Sequence, residues 1–210
     1  MSTDPAPKVY IPGEERLNVW THAFGMLLAL AGMVLLLCKS QTATAAVAGA
    51  IYGISMCILF AGSTLYHAAR EPGRRAALRL VDHSAIYFLI AGTYTPLMLL
   101  GTPGLGGYIV LGVVWTIGIA GVTFELLRYK PFKGFSILLY IIAGWACMAI
   151  FPTLYKALQG MPFIYLLAGG IAYTGGVPFY VKRIDYFHAI WHVFVLAGAF
   201  FHYLAIYSLF

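Results

Sequence analysis

The sequence predicts an all-α integral membrane protein, a bundle of seven transmembrane helices, and three observations support this fold class. The chain of 210 residues is 61% hydrophobic and only 10% charged, whereas soluble domains contain about 25% charged residues. Its mean hydropathy is +0.85. Lys, Arg, Asp and Glu are absent from six intervals, each long enough for the roughly 20 apolar residues of a spanning helix: 17–38, 40–69, 83–124, 134–155, 157–181 and 186–210.

The interval 83–124 is long enough to hold two helices. The turn-forming cluster Gly101-Thr102-Pro103-Gly104 divides it, and each of the other five intervals holds one helix, which gives seven. Strands of a membrane barrel would alternate apolar and polar residues over about ten positions, and these intervals do not. We therefore expect a short N-terminal segment, 1–16, followed by a seven-helix transmembrane domain, 17–210.

The net charge of +6 is distributed unevenly between the two sides of this bundle. The N-terminal segment and the loops after predicted helices 2, 4 and 6 contain 11 of the 13 basic residues, and the remaining loops contain only Lys39 and Lys156. The positive-inside rule then predicts a cytoplasmic N-terminus and an outer C-terminus. The basic residues indicate topology and contact with lipid headgroups, not nucleic-acid binding, and we expect a bacterial inner membrane location. The sequence does not indicate an oligomeric state.

Polar residues of three predicted helices are expected at one depth, near the cytoplasmic side. Helix 2 (about 44–69) ends on that side, whereas helix 3 (about 80–100) and helix 7 (about 186–208) begin there. The polar residues at these helix ends are Ser63, His67, Asp82, His83, His188 and His192.

The spacing of the histidines suits metal binding. His188 and His192 are four residues apart and share one helix face, so both can bind one ion. His67 would complete a set of three imidazoles. A catalytic zinc takes three protein ligands and keeps a position open for water, and Asp82 could accept a hydrogen bond from that water and act as its base.

A plainer explanation of these histidines stays open. A lone histidine in a span is more often a hydrogen-bonded core residue than a ligand. A His-x-x-x-His pair also occurs by chance in aromatic-rich interfacial helices, and Tyr186, Phe187 and Trp191 fit such a belt. The third histidine and the acid at the same depth favour the metal site, because ionisable residues in spans are rare and usually functional.

Five short motifs, in this order and on these helices, resemble the hemolysin III branch of the progestin and adiponectin receptor-like membrane proteins. They are ERLNVWTH (15–22), STLYH (63–67), DHS (82–84), AGTYTP (91–96) and HAIWH (188–192). The resemblance covers all seven predicted helices. That group is similar in turn to alkaline ceramidases, within a proposed superfamily of membrane metal-dependent hydrolases. It implies a seven-helix bundle with an intramembrane zinc near the cytoplasmic side.

The resemblance also implies roles for individual residues. His67, His188 and His192 would be the zinc ligands, with water as the fourth. Asp82 would hold that water, and Ser63 would lie beside the site.

Three further polar residues are candidates for positions around the metal. Asn18 and His22 share a helix face at the start of helix 1, where they could form a second shell or, equally, a cap and interface pair. His83 lies about 100° around the helix from Asp82, so we expect it to pack or to lie behind the ligands.

Three other polar residues are expected to have structural roles. Glu125 is expected to form a surface ion pair with Arg128. Asp185 is expected to cap the start of helix 7. His202 lies too far along helix 7 to join the site.

These observations favour a zinc-dependent hydrolase that acts on a lipid-like amide or ester. Such bonds lie where headgroups meet hydrocarbon, about 15 Å from the bilayer midplane, and the polar cluster is expected near that depth. A receptor or sensor, in which zinc only holds helices 2, 3 and 7 together, is an alternative. A pore-forming cytolysin is a third, which the apolar spans support poorly. A retinal-type receptor is disfavoured because no span contains a lysine for a Schiff base.

Overall fold

The computed structural model describes residues 10–129, 131–132 and 134–210. Most of the predicted N-terminal segment, residues 1–9 with Lys8, lies outside the described residues. Lys130 and Lys133, on which part of the charge asymmetry rests, lie outside them as well. Every regular element in the described part of the chain is helical, and seven helices are long and apolar enough to cross a membrane. The predicted all-α, seven-helix fold class is therefore confirmed.

We number the seven helices α1 to α7 in chain order. Their bounds are Pro12–Lys39, Ala43–Ala68, Pro72–Pro96, Leu105–Leu126, Phe135–Ala157, Met161–Val181 and Phe187–Tyr207. Two of them are irregular. A π-helical turn, Leu97–Gly101, continues α3, and α5 contains a 3₁₀ turn at Ala146–Ile150.

Helix α3 begins at residue 72 and not at about 80 as predicted. Pro72 occupies the first turn, where its missing N–H costs nothing. The Glu71 carboxylate accepts hydrogen bonds from the backbone N–H groups of Gly73 and Arg74, at 2.9 and 2.8 Å, and so caps the helix. The basic residues of this stretch are therefore helical, although their charge had indicated a loop.

The helices pack mostly in chain order, and α7 returns to pack against α1 as well as α6. This arrangement brings together the first turns of α1, the last turns of α2 and the first turns of α7. Close contact of α6 with α7 requires glycine at Gly169 and Gly176, where an added Cβ would meet the rings of His202 and Trp191. Large apolar side chains on the outer faces, such as Leu27, are exposed, as expected of a surface that faces lipid.

Candidate metal centre

Three buried histidines meet where α2 ends and α7 begins. His67 lies on the last turn of α2, and His188 and His192 lie on successive turns of α7. Each histidine offers one ring nitrogen, and these three atoms lie within 4.8 Å of one another. The ring centroids are 4.8 to 5.1 Å apart. The structure therefore brings together the three side chains that were predicted to share one ion.

The His67 ring has one bonded and one unbonded nitrogen. Its Nδ1 lies 2.7 Å from Oε2 of Glu15, and Arg75 donates to the other oxygen of that carboxylate. Its Nε2 is buried and has no hydrogen-bond partner among the described residues. An Nδ1–H that donates to a carboxylate leaves the lone pair on Nε2. Metal-binding histidines have this arrangement, with a carboxylate behind the ring.

Helix α1 orients His192 in a similar way. Nδ1 of His192 lies 3.2 Å from the Asn18 carbonyl oxygen and 3.2 Å from Oγ1 of Thr21. Both oxygens can accept the Nδ1–H, which leaves the lone pair of His192 on Nε2. The Asn18 side-chain nitrogen also lies 3.3 Å from Nδ1 of His67. Asn18 thus contacts two of the three clustered histidines, which is the position expected of an outer-shell residue.

The start of α7 is capped by a residue of another helix. Tyr186, at the N-cap position, has a left-handed φ of 64° and makes no side-chain cap. Instead, Oε1 of Glu14 accepts a hydrogen bond from the backbone N–H of His188, at 3.0 Å. The predicted cap by Asp185 is therefore wrong. Asp185 is exposed, and the packing of α1 on α7 brings a buried carboxylate to the positive end of the helix.

The donor set fits a zinc ion. Three imidazoles are a common ligand set of catalytic zinc sites, which take three protein ligands. The buried Nε2 of His67 has no hydrogen-bond partner among the described residues, and a metal ion would give it one. Two nitrogens on one tetrahedral zinc lie about 3.4 Å apart, since each Zn–N bond is about 2.0–2.1 Å. The donor atoms lie within 4.8 Å of one another, so they would have to come closer to bind one ion. The three residues could therefore hold a metal, and their role as ligands stays a prediction.

A cavity of about 50 Å³ adjoins this cluster. His188 and His192 border it together with Ser63 and Asp82, and His22 borders it too, whereas His67 is not in its lining. A cavity needs about 10–15 Å³ to hold one water, so this one can accept waters or a small polar group. Asp82, the predicted base, and Ser63 thus border the same cavity as His188 and His192.

His22 and His83 differ in their surroundings. The His22 ring stacks on the His192 ring, with centroids 3.6 Å apart and planes 10° apart. His83 also borders the cavity, but its Nδ1 lies 3.8 Å from Oε2 of Glu125 on α4. Glu125 is buried and accepts a hydrogen bond from Ser136 at 2.6 Å. The expectation that Glu125 is a surface residue is therefore wrong, because the packing of α3 on α4 encloses it.

Six residues around the cluster were not selected as site residues from the sequence. Four of them, described above, are Glu14, Glu15, Thr21 and Arg75, and the other two are Tyr10 and Tyr66. The Tyr10 ring lies 4.8 Å from the His188 ring and 5.5 Å from the His67 ring, between centroids. Burial raises the pKa of the Tyr10 phenol above its ordinary value, so Tyr10 covers the histidines as a neutral group. Tyr66 packs against the His67 ring at 4.7 Å. Three of these six residues had a signal in the sequence: Glu15 and Thr21 lie in the ERLNVWTH motif and Tyr66 lies in the STLYH motif, whereas Glu14 lies just before the first of them.

His202 lies apart from the cluster. Its Nε2 lies 3.2 Å from the Leu166 carbonyl oxygen on α6, and its ring packs near Tyr173. This contact ties α6 to α7, so the structural role expected for His202 is consistent with its position.

Comparisons with known proteins give the family. The Haemolysin-III related family model matches residues 11–203. The chain is 41% identical to Hemolysin-3 of Bacillus cereus over 190 residues, 89% of this chain and 87% of that protein. It is 39% identical to the Hemolysin-3 homolog of Bacillus subtilis (strain 168) over 190 residues, 89% of either chain. Identity to the monocyte to macrophage differentiation factor of Homo sapiens is 30% over 204 residues, 93% of this chain and 84% of that protein.

The family match covers α1 to α6 and α7 as far as residue 203, including the three clustered histidines and the α1 residues behind them. With its seven apolar helices, the chain is a multi-pass membrane protein, and it belongs to the hemolysin III family.

Proposed function

We propose that this protein is a zinc-dependent hydrolase that cleaves a lipid-like amide or ester at the cytoplasmic boundary of the bacterial inner membrane. One observation carries the proposal: the cavity beside His188 and His192 is also bordered by Asp82 and Ser63. Metal-assisted hydrolysis needs a metal, a base for water and a donor for the carbonyl oxygen within one small space.

A second cavity supports an apolar substrate. It measures about 100 Å³ and is lined mainly by apolar and aromatic residues of α3, α5 and α6. Five residues line both cavities, so the apolar space adjoins the polar one: Ile86, Leu89, Tyr173, Tyr180 and Trp191. A lipid chain in the larger cavity would present its carbonyl group to the smaller one.

Each of the clustered residues has its own role in the proposed hydrolysis. His67, His188 and His192 would hold the metal, which when bound polarises a carbonyl and lowers the pKa of water. Asp82 accepts a proton from the attacking water and returns it to the leaving nitrogen or oxygen. Water thereby adds across the C–N or C–O bond and yields a carboxylic acid with an amine or an alcohol. Ser63 donates its O–H to the carbonyl oxygen as negative charge develops there.

The test is turnover of a long-chain N-acyl amide and of the matching ester by zinc-loaded protein in detergent. Asp82→Asn removes the base and keeps the side-chain volume, so we expect unchanged zinc content and turnover at least about 100-fold lower. Asp185→Asn, at an exposed acid outside the cavity, is the matched control and should turn over like wild type. Wild-type activity in Asp82→Asn, or no hydrolysis of either substrate class by wild type, would overturn the proposal.

A receptor or sensor with a structural zinc is the second candidate. The cluster joins α2 to α7, and its hydrogen-bond partners join both to α1, so a metal there would hold three helices together. In this case metal removal lowers the unfolding temperature although no lipid is hydrolysed by the zinc-loaded protein.

A pore-forming cytolysin is the third candidate, because two relatives are named as hemolysins. A pore would release a dye from lipid vesicles in proportion to added protein, and release would not depend on zinc. A hydrolase of the proposed kind leaves sealed vesicles of non-substrate lipid intact.

A further inference from the structure

His22 is a buried imidazole whose polar atoms are unused. Only 3% of the residue is exposed, and neither Nδ1 nor Nε2 has a hydrogen-bond partner among the described residues. A neutral imidazole has one N–H donor and one acceptor nitrogen. Buried polar groups are nearly always hydrogen-bonded, and those that are not require an explanation.

The position of His22 separates it from the three clustered histidines. Its ring stacks flat on the His192 ring, 3.6 Å away between centroids, and lies nearly perpendicular to the Phe60 ring, with centroids 5.2 Å apart. The group of side chains that could share one ion contains His67, His188 and His192 and not His22. His22 thus lies alongside the candidate metal centre without belonging to its ligand set.

His22 also lines the cavity that Asp82 and Ser63 line. A molecule bound in this cavity therefore lies next to His22, whose buried ring nitrogens have no other partner among the described residues. The carbonyl oxygen of an amide or ester, or the oxygens of a carboxylate, would accept the N–H of the neutral ring. A partner of this chemistry satisfies a donor that the described residues leave unsatisfied.

We propose that His22 is a substrate-binding residue, whose ring N–H donates to a carbonyl or carboxylate oxygen held in the cavity beside the metal. The proposal rests on the proposed hydrolase, because it assumes that an acyl group enters this cavity. Stacking on His192 fixes the ring plane, and the hydrogen bond then fixes the position of the acyl oxygen relative to Asp82 and Ser63.

The alternative is that His22 only packs. His22→Phe distinguishes the two roles, since phenylalanine keeps an aromatic ring to stack on His192 and removes both ring nitrogens. If packing is its only role, His22→Phe binds acyl ligands as wild type does. His22→Gln keeps a donor and an acceptor without the ring, so it should restore part of the binding that His22→Phe loses.

The experiment measures binding of dodecanohydroxamic acid, an acyl probe that chelates zinc, to zinc-loaded protein by isothermal titration calorimetry. We expect His22→Phe to keep its zinc and its folded circular dichroism spectrum and to bind the probe about 10-fold or more weakly, the effect of one lost hydrogen bond. Dodecan-1-ol, which lacks the acyl oxygen, should not distinguish the variant from wild type. Tyr108→Phe, at an exposed aromatic residue that lines neither this cavity nor the apolar one, is the control and should bind the hydroxamate normally.

Equal affinity of His22→Phe and wild type for the hydroxamate would overturn the proposal, and so would loss of zinc from His22→Phe and His22→Gln, which would make His22 a metal-holding residue. Failure of the hydrolase is a separate result. In that case no amide or ester is turned over by wild type, yet hydroxamate binding still depends on His22.

Discussion

Nδ1 of His67 lies 2.7 Å from Oε2 of Glu15, although 52 residues of sequence separate them. Arg75 donates to the second oxygen of the same carboxylate and to the Ala69 carbonyl oxygen. The Glu15 carboxylate, on the first turn of α1, thus joins the end of α2 to the first turn of α3. The His67 ring is thereby held by Nδ1, and its Nε2 has no hydrogen-bond partner among the described residues.

Replacement of Glu15 should weaken metal binding without removing a ligand. In Glu15→Gln the charge behind His67 is lost, so we expect zinc affinity to fall about 10- to 100-fold, as it does when outer-shell carboxylates are changed elsewhere. Competition with a fluorescent zinc chelator measures this affinity. Glu71→Gln alters an acid that caps α3 and should bind zinc like wild type. Equal zinc affinity of Glu15→Gln and wild type would show that the carboxylate does not support the metal.

Glu14 should stabilise the protein through the start of α7, whereas Asp185 should not. Glu14→Ala leaves the His188 N–H without its acceptor, so we expect the free energy of unfolding to fall by about 1–2 kcal/mol. Asp185→Ala, at an exposed site, should change it by less than about 0.5 kcal/mol. Reversible unfolding in mixed micelles provides both values. A larger loss of unfolding free energy in Asp185→Ala than in Glu14→Ala would show that Asp185 caps α7, as the sequence had predicted.

The contact between α6 and α7 should depend on Gly169. An added Cβ there would overlap the His202 ring, so Gly169→Ala should lower the unfolding temperature, because either the ring or the two helices must move. Gly112 lies on an exposed face of α4, where no atom of the described residues comes within 4 Å of the position that a Cβ would take. Gly112→Ala should therefore be neutral or stabilising. A Gly169→Ala protein as stable as wild type would contradict the close packing described for α6 and α7.

Zinc should stabilise the fold, because its predicted ligands lie on α2 and α7 and their hydrogen-bond partners lie on α1. Zinc added to metal-free protein at about 100 times its dissociation constant is expected to stabilise the folded state by about 2.7 kcal/mol. The shift in unfolding temperature should disappear in His67→Ala and persist in His202→Ala. A zinc-dependent shift of the same size in His67→Ala would place the metal elsewhere.

The fold was predictable because charge-free intervals set the number of spans and the turn cluster 101–104 separated two of them. The convergence of His67, His188 and His192 was predictable for a related reason. Helix direction alternates from span to span, and so residues near the ends of different helices reach the same depth. The i, i+4 spacing then placed the α7 pair on one face.

The partners of these histidines could not be predicted in the same way. The sequence had placed Glu14 and Glu15 in the segment before the first span and Arg75 in the loop after predicted helix 2, since a single sequence does not show which face of α1 meets α2 and α7. Every face of a membrane helix is apolar, so hydrophobic periodicity does not distinguish lipid contact from helix contact. The same limit explains why Glu125 was assigned to the surface, and why a cap donated by another helix was assigned to Asp185.

The most direct test of the account is the metal content of purified protein. Wild type, His188→Ala/His192→Ala and His202→Ala, prepared under mild conditions with zinc in the growth medium, are compared by inductively coupled plasma mass spectrometry. We expect about one zinc per chain in wild type and in His202→Ala, and almost none in the double variant, because a site with one of three protein ligands left does not retain zinc. Wild type without zinc, or a double variant with as much zinc as wild type, would contradict it.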